Sequence, residues 1–405
     1  MTALQGLRVV EIAGPFGGYC GKMLAGLGAD VVLVEPPAGA PGRAEAPFLD
    51  GVPGADRSFR FAYENTGKRS IVLDLDLPDD AAVLRALAAR ADILIEAFRP
   101  GTMARLGLGY DDLRTLNDAL VYVSITGFGQ TGPYADYAAA DVVAVALGGM
   151  MSLAGYPGEA PLAAYGGQAV AAANMFAGVA ALAAVLRAEA TGEGEHVDVS
   201  MQECVALGLE NAAQFYDLEG VVRRRQAGTQ PRAGNGLFEC ADGSVFLMSA
   251  GVGDNRFWFN TVDWLEGAGA AGVAALREPC WSDEAYLVTA AAKAAFLAVF
   301  HPFAMRRTKR ELYVEGQRWR VPICPVQTPA DVVADPQLRH RGFFVEVAGA
   351  VGGRTLAMPG APYRLGLTPW AAGDRAPLPG EHTREILAEL KADGGVPHFL
   401  AEAAR

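Results

Sequence analysis

Cysteine and histidine are scarce, five of each in 405 residues. Cys20, Cys204, Cys240, Cys280 and Cys324 stand far apart with no Cys-x-x-Cys pair, which excludes a zinc ribbon or redox dithiol and fits a reducing cytosol. The histidines are equally scattered, so no metal site is expected. A cationic surplus is missing too. With 34 Lys and Arg against 46 Asp and Glu, the formal charge is −12, which argues against a broad nucleic-acid or anionic-membrane surface. Any phosphate must then be met by a local basic pocket. The start, Met1-Thr2-Ala3-Leu4-Gln5-Gly6-Leu7-Arg8, lacks a basic region followed by an apolar one, so no secretory signal is expected. The most informative absence is internal: residues 160–188 run twenty-nine positions without one Asp or Glu.

What is present describes a folded globular chain, 51% apolar and 20% charged, long enough for about two domains. Residues 169–186 are apolar and near the length of a membrane span. Their side chains are mostly Ala, with Asn174 and Gly178 inside, and Ala and Gly add little transfer energy. A helix packed inside protein is expected there.

The first seventy-five residues alternate strand and helix, and further strands follow. Strands are expected at 7–12, 31–35, 70–73, 93–96 and 121–125, with helices at 19–27 and 79–90, which predicts a parallel sheet covered on both faces. Helix is expected over 141–151, a strand at 197–199, and a long helix from Ser200, whose side chain and Glu203 have capping-box spacing. Composition changes at Val221-Val222-Arg223-Arg224-Arg225. Beyond it, two strands flank Asp242-Gly243, a hairpin signal, and helical blocks surround Trp258, Trp264 and residues 290–300. Strand-like runs resume after Val321, and Pro379-Gly380 turns into a terminal helix. The expected organisation is a large domain beginning at 1–220, a smaller α+β domain at 221–320, and a segment at 321–405 returning to the large domain.

The loop Gly14-Pro15-Phe16-Gly17-Gly18-Tyr19-Cys20-Gly21, followed by a helix and by Glu35 at a strand end, invites a dinucleotide reading. Its glycines fall as G-x-x-G-G-x-x-G rather than G-x-G-x-x-G, so tight helix packing explains them equally well. Arg43, Lys68, Arg69, Arg99 and Arg105 are candidates for phosphate contacts through charge-assisted hydrogen bonds.

Two segments flanking the acid-free run, Gly127-Phe128-Gly129-Gln130-Thr131-Gly132-Pro133-Tyr134 and Thr191-Gly192-Glu193-Gly194-Glu195-His196-Val197-Asp198-Val199-Ser200, closely resemble those of the family III coenzyme A transferases. The run Asn65-Thr66-Gly67-Lys68-Arg69-Ser70 resembles that family's segment near the CoA site. Phe98-Arg99-Pro100-Gly101 with Arg105-Leu106-Gly107 resembles the stretch touching adenine and phosphates, and Ala97 stands where an asparagine is usual. Residues 12–21 resemble the loop beside the thioester, with Gly18 where a proline is common. Val321-Pro322 and Gly380-Glu381-His382-Thr383 match late segments, so the likeness spans nearly the whole chain. It implies a Rossmann-like large domain, a smaller α+β domain and an interlocked dimer. It also implies CoA or acyl-CoA as substrate without a metal, and CoA contacts from Phe16, Gly17, Arg43, Lys68, Arg69, Phe98, Arg99, Arg105 and Phe128. A glycine-rich loop of the small domain covers the reacting carbonyl in the family, and Gly234-Asn235-Gly236 is its candidate counterpart.

In the family an aspartate twenty-one residues before the Thr-Gly pair is the nucleophile. Counting back from Thr191 reaches Val170, which has no lone pair, and the flanking acids Glu159 and Glu189 lie at the two ends of the gap. Related α-methylacyl-CoA racemases add a histidine before the acid matching Asp141, and here that position is Ala140, so an acid/base pair for racemisation is missing. The resemblance then implies a subunit without the nucleophile, paired in a cytoplasmic heteromer with a homologous chain that carries it, as in the succinyl-CoA:benzylsuccinate type. A self-sufficient acyl-CoA enzyme using Asp141, Asp198 or Glu203 is the alternative, although each has a capping role available. An NAD-binding oxidoreductase is the remote one.

Overall fold

The structure, a computed structural model, describes residues 2–225, 230–249, 256–371 and 373–392. The chain divides into two units: Met1–Met150, Ala163–Asp217 and Pro336–Arg405 form the first, and Met151–Leu162 with Leu218–Asp335 the second.

The first unit is built on six parallel strands, β1 (Arg8–Ile12), β2 (Asp30–Glu35), β3 (Arg69–Val72), β4 (Ile93–Glu96), β5 (Val121–Thr126) and β6 (His196–Ser200), in the order β3-β2-β1-β4-β5-β6. Every residue of β4 and β5 is buried, as a parallel strand covered on both faces requires. Val10, Ile12, Val32, Val34, Ile71 and Leu94 join Val83, Leu84 and Leu87 of the Pro78–Ala88 helix in one core. The apolar helix Gln168–Thr191 packs on β5, β6 and the helices Tyr19–Gly26 and Met201–Leu207. It is long and apolar enough to cross a membrane, yet half of its apolar window is buried within the fold. Its stripe of Ala173, Ala177, Ala181 and Ala184 is buried, allowing the close approach that a Leu-rich helix would forbid.

Two helices are shorter than their sequence pattern suggests. The stretch from Asp141 stops at Leu147 and resumes at Met150–Leu153, because Gly148 and Gly149 interrupt it; a side chain at Gly148 would collide with Val205. The helix capped by the Ser200 hydroxyl ends at Leu207 before Gly208, and a second begins at Asn211. Late in the chain, β10 (Phe344–Val351) and β11 (Arg354–Pro359) form a hairpin whose Val347, Val351 and Met358 pack with Leu49 and Ala62.

The second unit holds a three-stranded antiparallel sheet of β7 (Asn235–Cys240), β8 (Gly243–Met248) and β9 (Ile323–Pro325), with the Asp-Gly hairpin at its centre. Trp258 of the Arg256–Gly267 helix stacks on Trp281 at 4.7 Å, and Phe296 and Phe300 of the Ala290–Ala304 helix complete a core of large rings. The 221–225 connector carries Arg225, whose guanidinium donates to the carbonyls of Tyr156 and Glu159; this holds the Met151–Leu162 segment in the same unit. Gly234 is buried at the entry to β7 and its carbonyl accepts from the Ser249 hydroxyl at 2.9 Å.

Candidate active site

The chain reverses its winding between β1 and β4, and in open α/β sheets the crevice beyond the strand ends at such a point is the ligand site. Here the 14–18 loop leaves β1 and the 97–99 turn leaves β4. They touch so closely that a Cβ on Gly14 would sit 3.1 Å from that of Ala97, so a larger residue there would push the two turns apart. Gly18 has φ of 121°, and a side chain there would also meet the Glu64 carboxylate.

The loop is pinned from two sides. Beneath it, buried Glu11 accepts from the Gly18 and Gly21 amides, at 3.2 and 3.3 Å, and pairs with Lys68. The Lys68 ammonium, wholly buried, also donates to the Gly18 carbonyl at 2.7 Å and Asn65 at 2.8 Å. From the helix side, fully buried Asn174 accepts from the Cys20 amide at 2.9 Å and donates to the carbonyls of Phe16 at 2.7 Å and Val170 at 2.8 Å. Phe16 and Gly17 are thereby held next to the start of the long helix.

Val170 is the third residue of that helix and is buried. Two amides at the helix start, Ala169 and Val170, donate to the Asp141 carboxylate at 2.7 and 3.0 Å. Asp141 thus caps a helix remote in sequence and complements its dipole. A valine side chain and an amide pair capped by Asp141 thus occupy the start of this helix.

One wall of the crevice was not legible as a site. Arg60 and Glu64, on the Phe59–Glu64 helix, pair at 2.9 Å, and Arg60 also pairs with Glu45. A side chain on Gly167 would come within 3.5 Å of the Arg60 Nη2 and 3.6 Å of the Val170 Cβ, so this guanidinium borders the helix start. Burial raises the Glu64 carboxyl above its ordinary value, against the pull of Arg60. The spacing of Arg60 and Glu64, one helical turn apart, was the available signal; Asn174 was visible as a lone amide in an apolar run.

The five candidate phosphate-binding cations part company. Arg43 is buried, bonded to Glu35 at 2.6 and 2.7 Å, to the carbonyls of Ala55 and Pro377, and stacked on the Phe61 ring. Burial alone would raise the Glu35 carboxyl, but Arg43, Ser70 and the Ala40 amide outweigh it and hold it below its ordinary value. Lys68 spends its three donors under the 14–18 loop, and Arg69 lies at the opposite, amino-terminal edge of the sheet, bound to Asp30, Glu385 and Glu389. Two of these three are thus buried in ion pairs, and the third lies in an ion-pair network at the far edge of the sheet. Arg99 and Arg105 are exposed. Arg99 donates to the Asp136 carbonyl, and the Arg105 side chain has no hydrogen bond or ion pair among the described residues. Phe98 is half-buried beside the core, and Phe128 meets Tyr134 edge-on at 6.0 Å after β5. Of the remaining acid candidates, Asp198 accepts from the Gln130 amide at 2.9 Å, and Glu203 is exposed in the first turn of its helix. Among the described residues no group of three or more His, Cys, Asp or Glu is placed to hold a metal.

A switch-point crevice bordered by the glycine-bearing 14–18 loop and the 97–99 turn, with Arg99 and Arg105 exposed after β4, suits an extended anionic ligand. The family model for "CoA-transferase family III" matches residues 4–383. The chain belongs to that family, whose members move CoA between an acyl-CoA and an organic acid. It is 41% identical over 395 residues to the succinyl-CoA:(R)-benzylsuccinate CoA-transferase subunit BbsE of Thauera aromatica, covering 97% of this chain and 94% of that one. Similarity extends to the succinate–glutarate CoA-transferase of Agrobacterium fabrum, at 33% identity with 96% of each chain covered. Among solved structures, a CAIB/BAIF family protein from Brucella suis superposes with a TM-score of 0.83 at 31% identity, over 96% of this chain and 99% of that one.

Proposed function

We propose that this chain is the subunit of a heteromeric family III CoA-transferase that does not itself form the covalent intermediate. The observation carrying this reading is Val170: the helix start offers an alkyl group, and Asp141 already takes the Ala169 and Val170 amides. The nucleophile comes from a homologous partner chain, as the subunit designation of the Thauera relative suggests. Met175, Phe176, Val179 and Leu186 remain exposed on the long helix, an apolar face that a paralogous chain would cover. The donor is an acyl-CoA such as succinyl-CoA and the acceptor an organic acid, in the cytosol and without a metal.

Within this chain, the first unit is the large CoA-binding one and the second unit the smaller domain. CoA lies along the β1 and β4 turns, against Phe16, Gly17, Phe98 and Phe128, with Arg99 and Arg105 meeting its phosphates. The test is reconstitution. The chain purified alone transfers no CoA from succinyl-CoA to an organic acid, and co-expression with the paralogue restores transfer. Turnover by the lone chain overturns the proposal.

A further inference from the structure

Strands β4, β5 and β6 bring three polar side chains into one line, from Glu96, the last residue of β4, through Ser124 to His196, the first residue of β6. Glu96 pairs in register with Ser124, and Tyr122 pairs with His196, so the imidazole reaches diagonally to the Ser124 hydroxyl, Nε2 to Oγ at 2.9 Å. Ser124 and Glu96 are 1% and 5% exposed, and Glu96 accepts from the Phe98 amide at 2.7 Å. The Ser124 hydroxyl is also a hydrogen-bond partner of the Glu96 carboxyl, which burial pushes above its ordinary value. Rings fix the imidazole plane: Tyr110 stacks on it at 5.4 Å and Tyr122 meets it edge-on at 5.3 Å. None of these groups takes part in holding the 14–18 loop or the Val170 helix.

A serine hydroxyl has one proton. When the His196 Nε2 carries no proton, the hydroxyl donates to it and leaves the Glu96 carboxylate with the Phe98 amide alone. When Nε2 carries a proton, it donates to Oγ and the hydroxyl turns to Glu96. We infer that His196, Ser124 and Glu96 form a positioning relay that sets the 97–99 turn, and through it the grip of this chain on CoA. The second half rests on the reading that Phe98, Arg99 and Arg105 meet CoA. The other titratable groups facing the relay are Asp198 on β6, Asp111 and Asp112 on the Tyr110–Leu113 helix, and the Tyr110 and Tyr122 phenols. Burial lowers the imidazole below its ordinary value while Asp198 and Asp111 oppose that.

The test uses the full chain with its partner subunit, carrying Ser124→Ala, His196→Leu or His196→Gln, the last keeping a side-chain donor toward Ser124. Hydrogen exchange at the Phe98 amide, corrected for intrinsic rate, is read beside CoA affinity from about pH 5.5 to about pH 8, the range in which an imidazole titrates. Ser124→Ala is expected to speed Phe98 exchange and weaken CoA about tenfold each, the equivalent of one hydrogen bond. His196→Leu is expected to flatten the pH profile of affinity, and His196→Gln to restore the affinity seen at low pH. Unchanged Phe98 exchange in Ser124→Ala overturns the relay whatever CoA does. Faster exchange with unchanged affinity keeps the relay and overturns the CoA contact of the 97–99 turn.

Discussion

The two ends of the parallel sheet hold the same residue types in opposite employment. At the amino-terminal edge, Arg69 is tied to Asp30, Glu385 and Glu389 in a half-exposed network that anchors the terminal helix Thr383–Ala392 to the first strand residues. At the carboxyl-terminal edge, Lys68, its neighbour in sequence, is sealed under the 14–18 loop, while Arg99 and Arg105 stay exposed. Lys68 immediately precedes β3 and Arg69 opens it, and their side chains reach different carboxylates, so one basic dipeptide serves two unrelated structures. Cations at a crevice are available to a ligand only where no carboxylate of the fold has claimed them.

Lys68→Met tests the sealed side and has the largest expected effect. It leaves Glu11 buried without its cation, a loss of about 3–5 kcal/mol that thermal or urea unfolding would register. A melting temperature equal to that of the parent would mean the loop does not depend on the pair. Arg105→Ala tests the open side: stability changes by less than about 0.5 kcal/mol, but CoA affinity falls by tenfold or more, as for a charge-assisted hydrogen bond of about 1.5–3 kcal/mol. Titration calorimetry separates the two effects.

Smaller effects sharpen the contrast. Asp141→Asn keeps a capping oxygen but loses the charge at the helix start, at a cost of about 0.3–1 kcal/mol. Arg69→Gln, at the far edge, costs about 1 kcal/mol or less and leaves CoA binding untouched. The Glu35–Arg43 pair adds a pH dependence. Because the folded carboxyl lies below its unfolded value near 4.5, its contribution is complete above that pH and is lost as pH falls through the folded value. In Arg43→Met, where only Ser70 and the Ala40 amide oppose burial, that acid-side loss of stability should shrink or reverse.

Much of the first unit was legible because strand periodicity is local. The six strands sit within a residue or two of their apolar runs, and Asp242-Gly243 marked its hairpin. Helix lengths after Asp141 and Ser200 were overestimated, since Gly148 and Gly208 interrupt patterns that composition alone reads as continuous. The site was legible only in part. Val170 could be found by counting from Thr191, but the carboxylate partners of Arg43, Lys68 and Arg69 lie eight to 320 positions away in sequence, and spacing does not reveal them. Arg60 escaped notice because its place beside Gly167 arises from packing rather than from any motif. The Met151–Leu162 segment, too, is claimed by the second unit through Arg225, a contact across about seventy positions.

The central claim is that acyl transfer passes through the partner and not through this chain. Trapping the paired enzyme during turnover with succinyl-CoA, reducing any mixed anhydride or acyl thioester with borohydride, and mapping both chains by mass spectrometry tests it directly. The account predicts a modified aspartate in the partner and an unmodified carboxylate set in this chain. A reduced or CoA-bearing carboxylate on this polypeptide, at Asp141, Glu64 or elsewhere, would contradict it.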